Sequence, residues 1–179
     1  MKLLFVRHGH PDYSEPKALG YPGFGNDLAP LDVLGRTQAE QAAQDPRLRQ
    51  GQLIVASPFT RALQTAAILS RRLDLDLRVE VGLYEWLPDL TYTYTQIETV
   101  EQARAEFDAM NGIAEAERKG QWETWEQMRF RAERALARYA GYECLIVVCH
   151  GLLMQCFVEE KKIPNGGVFE VQWMPEHTR

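Results

Sequence analysis

The run Cys144-Leu145-Ile146-Val147-Val148-Cys149, closed by His150-Gly151, decides the fold. Six consecutive apolar residues without alternation predict a central strand buried on both faces, in a parallel sheet covered by helices on each side. The pattern recurs near the N-terminus, where Leu3-Leu4-Phe5-Val6 ends at Arg7-His8-Gly9. Open parallel sheets bind ligands in the crevice outside the carboxyl ends of their strands, where strand order switches. One histidine at a strand end is most simply a cap on a carbonyl. Two His-Gly pairs in the same setting instead place His8 and His150 on one rim.

Outward from these strands, the chain alternates strand-like and helix-like segments. Leu53-Ile54-Val55-Ala56 reads as a second buried strand. Ser57 as N-cap and Pro58 as first helical residue predict a helix to about Leu73, with Ala62, Thr65, Ala66, Leu69 and Leu73 on its buried face. Leu77 to Val81 reads as a third strand, a helix is expected from about Leu152, and Val168 to Trp173 suits a sheet edge. Residues 10–31, with Pro11, Gly20, Pro22, Gly23, Gly25, Asn26 and Pro30, read as loop, after which Asp32 caps a helix to about Asp45. The expected fold class is α/β, a three-layer α/β/α sandwich with a mostly parallel central sheet, in one domain over 1–179. The charged stretch at about 91–140, broken at Gly112 and Gly120, is expected as a helical, cap-like insertion over one end of the sheet.

Composition narrows the partners. The 179 residues are 45% hydrophobic and 25% charged, which is ordinary for a globular chain, and the formal charge of −5 argues against a nucleic-acid partner. Of the 20 Lys plus Arg, 15 are Arg, the side chain suited to bidentate oxyanion contacts. Arg7 interrupts the N-terminal apolar run too early for a signal peptide, and no stretch reaches the length of a membrane span, so a cytoplasmic location without membrane association is expected. Cys144, Cys149 and Cys156 lack zinc-ligand spacing and read as reduced thiols. Pairing through the Val168–Trp173 edge would make a homodimer; a monomer is equally compatible.

The remaining charged residues suggest a chemistry. Arg61 follows the second strand in the first helical turn, where the helix dipole disfavours a cation unless an anion binds there; the alternative is a pair with a nearby carboxylate. Arg7 stands beside His8. Two arginines and two histidines on one crevice describe a receptor for a dianionic tetrahedral group such as phosphoryl. A histidine with one ring nitrogen held and the other free can serve as nucleophile, and a carboxylic acid can protonate a leaving alkoxide. Glu85, among Leu83, Tyr84 and Trp86, has surroundings that raise a carboxyl pKa; its alternative is a solvated loop glutamate, and Asp89 and Asp12 are weaker candidates.

Five blocks now stand in order: Phe5-Val6-Arg7-His8-Gly9, Leu31-Asp32-x-Leu34-Gly35-Arg36-x-Gln38-Ala39, Ser57-Pro58-x-x-Arg61-Ala62-x-Gln64-Thr65-Ala66, Leu83-x-Glu85, and Val147-Val148-Cys149-His150-Gly151. The sequence resembles the histidine phosphatase superfamily, in its phosphoglycerate-mutase-like branch, over residues 2 to about 157. The resemblance implies His8 as phosphorylated nucleophile, Arg7, Arg61 and His150 as the phosphate pocket, and Glu85 as general acid and then base. It implies no cofactor and no metal, and a small phosphorylated substrate. Mutase relatives carry Glu after Arg-His-Gly and Asn several residues later; here those positions hold His10 and Ser14, candidate substrate contacts. The Gly-x-Trp-Glu-Gly stretch of mutases is replaced by Trp86-Leu87-Pro88-Asp89-Leu90. These departures favour a phosphatase hydrolysing a phosphomonoester, with a mutase-like phosphotransferase and a non-catalytic phosphate-recognition module as alternatives.

Outside the blocks, His10 could equally contact substrate or face solvent, and His177 is expected in a disordered tail. Trp122, Trp125 and Met128 read as packing, and Arg129 or Arg131 could reach substrate if the insertion covers the crevice. The alternating charges from Glu115 to Arg138 read as a solvated helix face.

Overall fold

The computed structural model describes residues 1–113 and 118–174; His177 and Glu115 lie outside the described residues. Five strands, β1 (Lys2–Arg7), β2 (Leu53–Ala56), β3 (Leu77–Val79), β4 (Cys144–Cys149) and β5 (Val168–Gln172), form one sheet in the order β3-β2-β4-β1-β5. The pairs β1/β4, β2/β4 and β2/β3 are parallel, and β5 is antiparallel to β1 at the edge. The helices are α1 (Ser14–Ala18), α2 (Val33–Ala42), α3 (Thr60–Leu73), α4 (Ile97–Ala109), α5 (Trp125–Ala137) and α6 (Gly151–Gln155). None of the described helices is long and apolar enough to cross a membrane.

Alternation along each strand splits the core in two. Leu3, Phe5, Val55, Leu145 and Val147 face Met128, Ala132 and Leu136 of α5. Leu4, Val6, Ile54, Ile146 and Val148 face Ala62, Ala66 and Leu69 of α3 and Ala42 of α2. Both faces are therefore covered, which is why β4 is apolar throughout. The stretch expected as an insertion at 91–140 does two different things. Its second helix, α5, is the layer on one sheet face. Phe107 of α4 lies against Trp86, Trp122 and Trp125, with ring centroids 4.9 to 5.3 Å apart.

Several boundaries differ from those expected. The 10–31 loop contains α1 and a 3-10 turn at Gly23–Leu28. Asp32 caps α2 by accepting from Gly35 N, but α2 stops at Ala42 and Asp45 caps a separate 3-10 turn. The third strand ends at Val79, because Val81–Leu83 turns as a 3-10 helix towards Glu85. Ser57 is not an N-cap: α3 begins at Thr60 behind Phe59, and the Ser57 hydroxyl is turned to a histidine instead.

Strand order and register position the site. The chain passes from β1 to β2, and β4 later inserts between them, so the carboxyl ends of three strands meet at a switch point. Arg7 stands opposite Cys149 and Ala56 opposite Val148. The next residues, His8, His150 and Ser57, therefore emerge at one level, held by His8 N donating to Cys149 O and Ser57 N to Val148 O, both at 3.0 Å.

Candidate active site

His8 and His150 are 4% and 0% exposed, and their rings sit edge to face with centroids 5.0 Å apart. The backbone around His8 allows no side chain at the next position: a Cβ on Gly9 would come 2.2 Å from Gly35 O. Gly9 N instead donates to Thr65 Oγ1, which donates to Arg61 O, tying the His8 loop to α3. His8 Nδ1 lies 2.7 Å from Gly9 O, an acceptor only, so that nitrogen carries the proton and Nε2 keeps its lone pair. Arg61 Nε donates to that lone pair at 3.3 Å. Burial, and then the Arg61 charge, lower the His8 pKa to about 3, and the same two causes hold His150 well below the ordinary histidine value.

His150 Nε2 lies 2.7 Å from Ser57 Oγ. Ser57 Oγ also accepts from Phe59 N, and with its hydroxyl proton donated to Nε2 the His150 proton would sit on Nδ1. Among the described residues, two buried side-chain polar atoms have no hydrogen-bond partner: His150 Nδ1 and Arg7 Nε. Buried polar side-chain atoms without partners are uncommon, and the Arg7 N–H, joined by His150 in the tautomer protonated at Nδ1, would suit an oxyanion at this strand-end crevice. Gly151 leaves room here, since its Cβ would lie 3.3 Å from Arg7 Nε.

Arg61, 4% exposed, also donates to Asp27 Oδ1 at 2.9 Å and lies over the Phe59 ring. Burial pushes the Asp27 carboxyl up, and the Arg61 charge opposes that shift. Arg61 thus pairs a carboxylate through one nitrogen while another reaches His8. Glu85 accepts from the backbone N–H groups of Trp86, Leu152 and Leu153 at 2.9 to 3.3 Å, which seats it at the start of α6 beside His150. Its loop is held by Arg131, which donates to Gly82 O, Tyr84 O and Glu85 O, pairs with buried Glu123, and stacks 3.6 Å from the Tyr84 ring centroid.

Arg7, His8, Arg61, Glu85 and His150 therefore converge. His10 and Ser14 do not join them: His10 Nδ1 pairs with Asp32 at 2.7 Å, and Ser14 is exposed, its N–H and hydroxyl turned to Asp12. Arg129 pairs with Glu133 and donates to Cys156 O at 3.2 Å. The sequence reading missed the contacts of Ser57, Thr65, Asp27 and Tyr13, the last of which lies in the charge field of Arg61, Asp27, Glu85 and Arg7.

Residues 3–171 match the histidine phosphatase superfamily (branch 1). The chain belongs to that superfamily. Glucosyl-3-phosphoglycerate phosphatase of Mycobacterium tuberculosis is 40% identical over 84 residues, which is 47% of this chain and 36% of the relative; the match thus spans little more than a third of that relative's length. A solved structure of the mycobacterial glucosyl-3-phosphoglycerate phosphatase superposes with a TM-score of 0.64 at 27% identity, covering 87% of this chain and 76% of that one. YhfR of Bacillus stearothermophilus, at 19% identity, shares the fold with a TM-score of 0.69 over 96% of this chain and 90% of its own.

In this histidine phosphatase superfamily member, the two neutral histidines make stability depend on pH. His8 has an ordinary value of 6.5 and a folded value of about 3. Its contribution is fully present above pH 6.5, where both folded and unfolded chains are neutral. It is lost as pH falls towards 3, because only the unfolded chain takes up the proton. From about pH 6.5 to pH 4.5 the loss from His8 is roughly 2–3 kcal/mol. Urea midpoints across that range should fall with acidification in the native protein and fall less steeply in His8→Gln.

Proposed function

We propose that this chain is a phosphomonoesterase that works through a phosphohistidine on His8. The observation that carries the reading is the pair of unpartnered buried nitrogens, Arg7 Nε and His150 Nδ1, beside a histidine whose Nε2 keeps its lone pair, accepting from Arg61 Nε at 3.3 Å. His8 Nε2 attacks phosphorus, and the bond between phosphorus and the ester oxygen breaks. Arg7, Arg61 and His150 stabilise charge on the non-bridging oxygens, in a buried setting where such contacts are strong. Glu85, as the acid, gives its proton to the leaving oxygen. As carboxylate it then takes a proton from the water that attacks phosphorus and breaks the P–N bond, releasing inorganic phosphate. The cations offsetting the dianion in this scheme are side chains, so the scheme uses no metal or cofactor. The pKa of about 3 keeps His8 nucleophilic at neutral pH without a separate base.

The test is release of inorganic phosphate from a generic aryl phosphate. Stoichiometric release supports hydrolysis; movement of phosphate to another substrate hydroxyl would assign a mutase, and tight phosphate binding without turnover would assign a recognition module. Glu85→Gln should slow turnover by about 10²-fold for alkyl phosphates. It should slow aryl phosphates much less, because a phenolate leaves without protonation. Equal losses on both substrate types, measured as kcat/KM, would remove Glu85 from the acid role.

A further inference from the structure

Beside Glu85 opens a cavity of about 320 Å³ whose lining includes both Glu85 and Asp27, the partner of Arg61. An oxygen protonated by Glu85 on leaving phosphorus therefore opens into this space. The walls are apolar and aromatic: Phe24, Phe59, Trp86, Tyr94 and Ile97. Phe24 stacks on Tyr92 at 5.3 Å and meets Tyr94 edge-on at 5.4 Å.

This wall is built in advance. Asp89 accepts from the N–H groups of Thr91, Thr93 and Tyr94, which fixes the loop carrying the tyrosines. Gly23, at φ +52°, lets Tyr94 O approach to 2.5 Å from where a Cβ would stand, locking that loop to the one carrying Phe24. The charges lining the space are distributed unevenly. Arg7 donates to Ile163 O and Arg61 pairs with Asp27, while Lys17, the one cation among the described residues lining the cavity, is exposed and lies over the Tyr13 ring. A carboxylate carried by the alcohol would find there no buried cation to pair it, since Asp27 already holds Arg61. A larger, open cavity lined by Gln102 and Lys119 borders this one only at Pro88.

We infer that this cavity takes the alcohol half of the phosphomonoester, and that this half is apolar and ring-bearing, with no second anionic group; the inference rests on the phosphatase reading above. Apolar walls with few polar groups reward burial of an apolar ring, and a carboxylate buried there without a paired cation is disfavoured.

The test compares three primary alkyl phosphates, in which the chemistry of the leaving oxygen is similar: 2-phenylethyl phosphate, glycerol 1-phosphate and 3-phosphoglycerate. The native protein should turn over 2-phenylethyl phosphate with kcat/KM at least about tenfold above the other two. Phe24→Ala should shrink that preference. Ile97→Lys, at an exposed position where α4 begins, should shift it towards 3-phosphoglycerate, and thermal unfolding of both variants checks that they fold. Phosphate release from all three at similar efficiency, or a preference for 3-phosphoglycerate, would overturn the substrate class while leaving the phosphatase reading intact. No release from any of them or from an aryl phosphate would overturn both.

Discussion

His8→Ala should lower phosphatase turnover to background, a loss on the order of 10⁴-fold or more, because it removes the atom proposed to form the covalent intermediate. Donation from Nδ1 to Gly9 O fixes the ring and leaves Nε2 as the only lone pair. With its pKa lowered to about 3, the ring is neutral at any ordinary working pH. Alanine leaves Arg7, Arg61 and His150 in place, so the variant should still bind inorganic phosphate while failing to turn substrate over. Calorimetric phosphate titration beside the rate assay separates the two properties. A variant that kept the native rate would place the nucleophile elsewhere.

Arg61→Ala should be nearly as damaging and in two distinct ways. Removing the cation proposed to stabilise transition-state charge is expected to cost about 10²–10³ in kcat. The same change strips Asp27 of its partner. Breaking a buried pair from one side typically costs about 3–5 kcal/mol, because the remaining charge is left uncompensated. The Asp27 side chain keeps 21% exposure, which puts its share at the lower end of that range. Adding Asp27→Asn to Arg61→Ala should restore much of the stability, read from the urea midpoint, and none of the rate. Recovery of both together would make Arg61 a structural residue only.

Much of this arrangement was legible in the sequence because strand ends are legible. Two apolar runs that stop at His-Gly can be aligned by eye, and the parallel register of Arg7 with Cys149 turns that alignment into proximity. Arg61 was legible for a similar reason, as a cation at a helix start where the dipole disfavours it. Ser57 sat at a third strand end and could have been read by the same rule. A serine before proline also fits an N-cap, and that local pattern drew the reading away from His150. Asp27 carried no local signal, because the 10–31 segment has no periodicity and its 3-10 turn is positioned by tertiary contacts. His10 and Ser14 were read by correspondence with mutase positions. Here Asp32, the cap of α2, holds His10, and Asp12 holds Ser14. The role of α5 as a sheet-covering layer was hidden by its dense charge, since Met128, Ala132 and Leu136 form only a narrow apolar stripe.

The central claim is a phosphorus–nitrogen bond on His8. Rapid quenching of the protein with a ³²P-labelled aryl phosphate, followed by peptide mapping, tests it directly. The account predicts one label, on the peptide containing His8, lost in acid and retained in base as a phosphoramidate is, and absent from His8→Ala. A label that survives acid, or that persists in His8→Ala, would contradict it.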